Sequence, residues 1–86
     1  MKDVKDYVIQ ECFSLNLRWY RYKKNYTQEK LAELSNLNPK YISDLERGKY
    51  CPSLSKLQAL ANALEIESYE LIKPNYLVEK DDLKVK

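Results

Sequence analysis

The chain contains a single glycine, Gly48, and no histidine among its 86 residues. Glycine supplies flexible loops and the turns that cradle phosphates. Its scarcity points to a helix-rich chain with short connections and argues against a nucleotide-binding glycine loop. The absence of histidine removes a common general base and a common zinc ligand. No nucleophile–base pair marks an enzyme. The two cysteines, Cys12 and Cys51, have no metal-ligand spacing and are expected as reduced thiols of a cytoplasmic protein. No metal or other cofactor is expected, and no small-molecule ligand is evident. No stretch approaches the ~20 apolar residues of a membrane span. Met1 to Glu11 is charged and mixed rather than signal-like, so no membrane association is expected.

What is present is a mixed surface with uneven charge. The net charge is only +2. Between Leu15 and Pro52, however, eight bases (Arg18, Arg21, Lys23, Lys24, Lys30, Lys40, Arg47, Lys49) face four acids (Glu29, Glu33, Asp44, Glu46). The rest of the chain is net negative. A local cationic excess of this kind suits contact with phosphates, although a solvated mixed surface would carry the same residues.

Within that region, TQEKLAELSNLNPKYISDLERG from Thr27 to Gly48 has the pattern of two short helices joined by a tight turn. Thr27 is an N-cap residue. Asn38 is a second, and Pro39 follows at the first helical position, where proline is tolerated. Gly48 ends the second helix. Leu31, Leu34 and Leu37 share the core side with Ile42 and Leu45, while Ala32 is small where the helices approach. Asn36 falls where the turn needs a left-handed residue, a conformation asparagine tolerates best among non-glycine residues. Such a unit presents its second helix to a DNA major groove.

Further helices flank the pair. A long first helix is expected from about Tyr7 to Lys24, with Ile9, Phe13, Leu17 and Tyr20 facing the core. Val8, Cys12, Leu15, Trp19 and Tyr22 form a second apolar stripe about 100° round the same helix. A surface helix needs only one stripe, so the second awaits a cover from the C-terminal tail or another subunit. Ser53 caps a fourth helix whose stripe is Leu54, Leu57, Leu60, Ala61 and Leu64. A short fifth helix is expected over Ser68 to Ile72, and Pro74 ends the helical part. Residues 1–74 are taken as one domain and 75–86 as a tail. Tyr76 to Val78 and Leu83 to Val85 flank a charged run, which suits a small hairpin, an edge strand at an interface, or a frayed end.

TQEKLA, YISDLERGK and the proline-serine helix start together resemble the DNA-binding domain of the phage-repressor/Cro family, also called XRE-type regulators. The resemblance covers roughly Phe13 to Ile72. It implies an all-α, compact five-helix fold that binds DNA as a dimer. Two positions depart from the family pattern: Glu65 stands where glycine is usual, and Glu67 where serine or threonine is usual.

The resemblance also places the site. Base-reading positions are Pro39, Lys40 and Asp44, with Asn38, Tyr41 and Ser43 at the margin. Lys40 suits guanine O6 and N7; Asp44 suits cytosine N4 or a pairing with Lys40 one turn earlier. Phosphate contacts are expected from Thr27 and Gln28 at a helix start, from the Tyr41 hydroxyl, and from Arg47, Lys49 and Tyr50 beyond the reading helix. In the family the pair matching Arg21 and Glu46 forms a partly buried salt bridge, an architectural role. Val8, Leu15, Trp19 and Tyr22 are the candidate dimer interface. The function expected is a cytoplasmic, sequence-specific transcriptional regulator acting as a homodimer on double-stranded DNA. A phage repressor, a restriction–modification controller and an antitoxin all fit the size. The alternative is a protein–protein module, such as an antitoxin-type partner binder, that keeps the fold without DNA.

Overall fold

The computed structural model describes residues 9–75. Four α-helices follow one another: α1 (Ile9–Lys23), α2 (Gln28–Ser35), α3 (Pro39–Glu46) and α4 (Leu54–Leu64). A 3-10 turn at Ser68–Leu71 completes the order. The all-α class holds among these residues, with four α-helices rather than five. The fifth element stays a 3-10 turn. Glu67, at its N-cap position, makes no side-chain cap, leaving its first amides without the stabilisation that serine or threonine brings. Val8 and the residues after Asn75, including the proposed hairpin, lie outside the described residues.

Local chemistry sets the helix starts. Thr27 Oγ1 accepts from the Lys30 amide at 2.9 Å, Asn38 Oδ1 from the Lys40 amide at 2.7 Å, and Ser53 Oγ from the Lys56 amide at 3.2 Å. Each satisfies an amide the helix cannot pair internally.

The helix ends share one device. Asn25, Asn36, Gly48 and Glu65 all adopt positive φ, between 58° and 75°. In each case the following amide reaches back to a carbonyl five residues earlier: Tyr26 to Arg21, Leu37 to Ala32, Lys49 to Asp44 and Ile66 to Ala61. This is the Schellman stop. A chain with one glycine therefore builds three of its four stops from asparagine or glutamate. Asn25 and Glu65 are left-handed positions that the sequence reading did not mark.

The core is made by Phe13 and Leu17 of α1, Leu31 and Ala32 of α2, Ile42 and Leu45 of α3, the α4 stripe from Leu57 to Leu64, and Leu71. α2 packs on α3 and α4, α1 on α3 and the 3-10 turn, and α4 on the 3-10 turn. Burying each of these leucines stabilises the fold by about 1.5–3 kcal/mol relative to exposure. Three residues expected in the core are not there. Ile9, the first described residue of α1, and Leu54, the first residue of α4, are 61% and 83% exposed. Leu34 stands at the rim of an open groove with Tyr26, Asn62, Ala63 and Glu65. Tyr20 is partly buried and its hydroxyl donates to Glu70 at 3.3 Å.

Polar bonds fasten α1 to its neighbours. Asn16 is wholly buried, and its Nδ2 donates to the Leu71 carbonyl at 3.1 Å and the Lys73 carbonyl at 2.7 Å. These bonds add to the packing of α1 on the 3-10 turn. Ser14 Oγ donates to the Leu45 carbonyl at 2.9 Å, and Gln10 Nε2 donates to the Gly48 carbonyl at 2.5 Å. Leu45 lies in the last turn of α3 and Gly48 just beyond it, so both bonds tie α1 to the C-terminal end of that helix.

Candidate nucleic-acid interface

α3 packs on α1 and α2. Below it, Glu46 receives a two-point ion pair from Arg21, Nε to Oε2 at 2.5 Å and Nη2 to Oε1 at 2.8 Å. Arg21 Nη1 also donates to the Tyr26 carbonyl at 2.9 Å, and Gln28 Nε2 donates to Glu46 Oε1 at 3.1 Å. Both charges are buried, with side chains only 9% and 4% exposed. Burial pulls the Arg21 guanidinium down, but the hydrogen bond and charge of Glu46 outweigh it and hold it above its ordinary value. The Gln28 side chain turns inward to join this network, while the phosphate contact expected at this helix start is from its amides. What Gln28 offers outward is its backbone amide at the start of α2.

The opposite side of α3 is open. Asn38, Pro39 and Lys40 are exposed and Tyr41 and Ser43 half-buried. Lys40 leads this face with its side chain 75% exposed. Thr27 is exposed at the start of α2. Of the two parts expected of Asp44, the structure shows the pairing with Lys40, and the side chain is only 7% exposed. Its Oδ1 accepts from Arg47 Nη2 at 2.6 Å and lies 3.6 Å from Lys40 Nζ. The hydrogen bond from Arg47, helped by the charges of Lys40 and Lys49, holds this carboxyl below the usual carboxylate range despite its burial.

A row of cations and rings continues from this face. Lys49 Nζ lies 5.7 Å from the centre of the Tyr50 ring. Tyr50 stacks on Tyr41, with centroids 6.5 Å apart and planes inclined by 24°. Lys56, in the first turn of α4, places its Nζ 4.8 Å from the Tyr41 ring. Burial, with a smaller effect from nearby Cys51, raises the Tyr41 phenol above its usual range. The structure thus brings Lys40, Asp44, Arg47, Lys49, Tyr41 and Tyr50 into one surface and adds Lys56. The sequence reading missed Lys56. Its position one turn into a Ser-capped helix just after the Lys49-Tyr50 pair was the available signal.

The outer stripe of α1 lies elsewhere. Cys12, Leu15, Trp19 and Tyr22 are half-buried rather than bare. Trp19 takes the edge of Tyr20 at 4.9 Å and the Lys23 ammonium at 4.7 Å, while the Arg21 guanidinium lies 4.7 Å from the Tyr22 ring. The chain's own cations thus cover part of this stripe. Among the described residues, no group of three or more His, Cys, Asp or Glu side chains could hold a metal. No helix there is long and apolar enough to cross a membrane.

Comparison with known proteins places this arrangement. The helix-turn-helix family model matches residues 17–71. The chain is 39% identical over 61 residues to the immunity repressor protein of Bacillus phage phi105, covering 71% of this chain but 42% of that protein, so it spans less than half of that relative's length. The crystal structure of the restriction-modification controller protein C.AhdI from Aeromonas hydrophila is 42% identical, with a TM-score of 0.71, covering 76% of this chain and 98% of that one. The controller protein C.Esp1396I, solved as a tetramer in complex with its natural 35 base-pair operator, is 28% identical with a TM-score of 0.70, covering 78% of this chain and 92% of that one. From Leu17 to Leu71, through the Thr27 cap, the Asn36 turn and the Arg21–Glu46 pair, the chain belongs to the phage-repressor/Cro (XRE-type) helix-turn-helix family.

Proposed function

We propose that this protein is a sequence-specific DNA-binding regulator of transcription that works as a homodimer on a two-fold operator. The observation that carries this reading is the open first turn of α3, bordered by Lys40, Arg47, Lys49 and Lys56 and braced from behind by the Arg21–Glu46 pair. A helix presented this way fits a major groove, with its first residues against base edges and the flanking cations against phosphates. The relatives support it: one is a phage immunity repressor, and another is a controller seen on its operator. Operator control of that kind, as a repressor or a restriction–modification controller, is the setting proposed.

Lys40 is the principal base reader; its ammonium suits guanine O6 and N7. Asn38, Pro39, Tyr41 and Ser43 complete the reading surface. Lys49, Tyr50, Arg47 and Lys56 take phosphates, together with Thr27 and the backbone amide of Gln28 at the start of α2. Residues 1–74 form the DNA-binding domain. Leu15, Trp19 and Tyr22 contribute to the dimer contact with Val8 and the tail from residue 75, setting two copies of α3 about 34 Å apart, one turn of DNA. The function needs no cofactor, membrane or bond-making step, and a cytoplasmic location goes with it.

Selection of bound duplexes from random sequence tests this directly. The expected result is a two-fold consensus with half-sites one helical turn apart, bound with steep salt dependence. A protein that enriches no sequence and binds mixed DNA without salt dependence would overturn the reading.

A further inference from the structure

The proposed reading helix carries an acid where a polyanion is to approach. Asp44 lies on α3 between Lys40, one turn before it, and Arg47, three residues after it. A carboxylate there would repel phosphates if it stood free. Instead it is sunk to 7% exposure while its two cations remain open, Lys40 at 75% and Arg47 at 62%. Both converge on the same oxygen, Arg47 at 2.6 Å and Lys40 at 3.6 Å. The three side chains together carry a single positive charge.

On the DNA-binding reading above, we propose that Asp44 is a specificity-determining positioning residue, an internal counter-ion that withholds Arg47 from phosphates until α3 sits in register. A phosphate met in the wrong register must displace the carboxylate from Arg47. That exchange swaps one charge-assisted hydrogen bond for another and leaves Asp44 sunk with a weakened partner, so it gains little. Lys40 escapes this cost. At 3.6 Å Lys40 is an ion-pair neighbour of Asp44 and not hydrogen-bonded to it, so its three ammonium donors can turn to the neutral acceptors of a guanine edge. Affinity for the wrong sequence falls and contact with the right base is preserved; specificity is the difference between the two.

The test uses the full chain, its selected duplex and a random duplex, with affinity measured against salt concentration for wild type, Asp44→Asn, Arg47→Gln and the double variant. Asp44→Asn should bind random DNA roughly tenfold more tightly and steepen the salt slope by about one for the phosphate newly neutralised. The preference for the selected site should narrow by a similar factor. Arg47→Gln alone should weaken the selected site but barely change random DNA; in the double variant the gain on random DNA should vanish. Three results overturn the proposal. In the first, Asp44→Asn changes the selected base at one position with random-DNA affinity unaltered, the mark of a direct cytosine reader. In the second, Asp44→Asn leaves both affinities unchanged or lowers them alike. In the third, Arg47→Gln alone weakens random-DNA binding and flattens its slope, which decides the matter even where Asp44→Asn fails to fold. A wild type with no sequence preference sinks the DNA-binding reading itself and is recognised before any variant is made.

Discussion

Arg21 and Glu46 join α1 to α3 by two parallel hydrogen bonds, and the Tyr26 carbonyl and the Gln28 side-chain amide bond to the same pair. Removing one partner leaves a buried charge unmatched, which costs about 3 kcal/mol or more. Glu46→Ala should therefore lower the melting temperature by ten degrees or more, at roughly 4–8 °C per kcal/mol for a domain of this size. DNA binding should fall in parallel. Thermal unfolding by circular dichroism beside a binding titration checks this. A variant that lost binding with an unchanged melting temperature would place Glu46 in direct contact with DNA.

Lys40, Lys49 and Lys56 separate base reading from phosphate holding. Lys40→Ala should cost roughly 1–3 kcal/mol on the best site and relax preference at one base pair per half-site. Lys49→Ala and Lys56→Ala should weaken all sequences alike and lower the salt slope by about one each. A consensus unchanged by Lys40→Ala would remove that residue from the reading surface.

Glu65 occupies a left-handed position, φ 60°, at the stop of α4. A non-glycine residue there costs about 1–2 kcal/mol that glycine does not pay. Its salt bridge to Lys24 is mostly exposed, Glu65 at 71%, and offsets little of this. Glu65→Gly should raise the melting temperature by a few degrees, the net of that relief and the added freedom of the unfolded chain. A fall would mean that the Lys24 contact outweighs the backbone cost.

Stability should show no step between about pH 5 and 8, the range in which histidine titrates, because the chain has none. At lower pH, hydrogen bonds from Arg47, Lys24 and Lys73 depress Asp44, Glu65 and Glu70 respectively. A depressed carboxyl contributes stability above its unfolded pKa and loses it as pH falls through its folded one, so the decline should begin below about pH 4. At the other end, Lys24 and Lys73, raised chiefly by Glu65 and Glu70, keep their share until pH climbs through the lysine range. Melting temperature against pH reads all three regions; a transition near neutrality would contradict this account.

Trp19→Glu should yield monomers with an intact fold and much weaker operator binding if α1 forms the dimer contact. Sedimentation at tens of micromolar, compared with a chain truncated after Pro74, separates the contributions of stripe and tail. A wild type that sediments as a monomer would remove the dimer from the proposed function.

The caps at Thr27, Asn38 and Ser53 and the left-handed Asn36 and Gly48 were legible because each acts over three or four residues of chain. Glu65 was not, since its residue type argues against its conformation. Ile9, Leu34 and Leu54 followed the apolar period, but a period cannot tell where a covering neighbour ends. The depth of Asp44 and the inward turn of Gln28 were hidden for a related reason. Both depend on partners chosen by tertiary geometry, and an exposed helix face reads the same whether its charges are free or paired.

Gln10, Ser14 and Arg21 lie along one side of α1 and grip the far end of α3 at Gly48, Leu45 and Glu46. The eleven steps from Gln10 to Arg21 span about 16 Å of helix. All three anchors fall between Leu45 and Gly48, so α1 holds the C-terminal end of α3 while the turn that carries Lys40 projects beyond the grip.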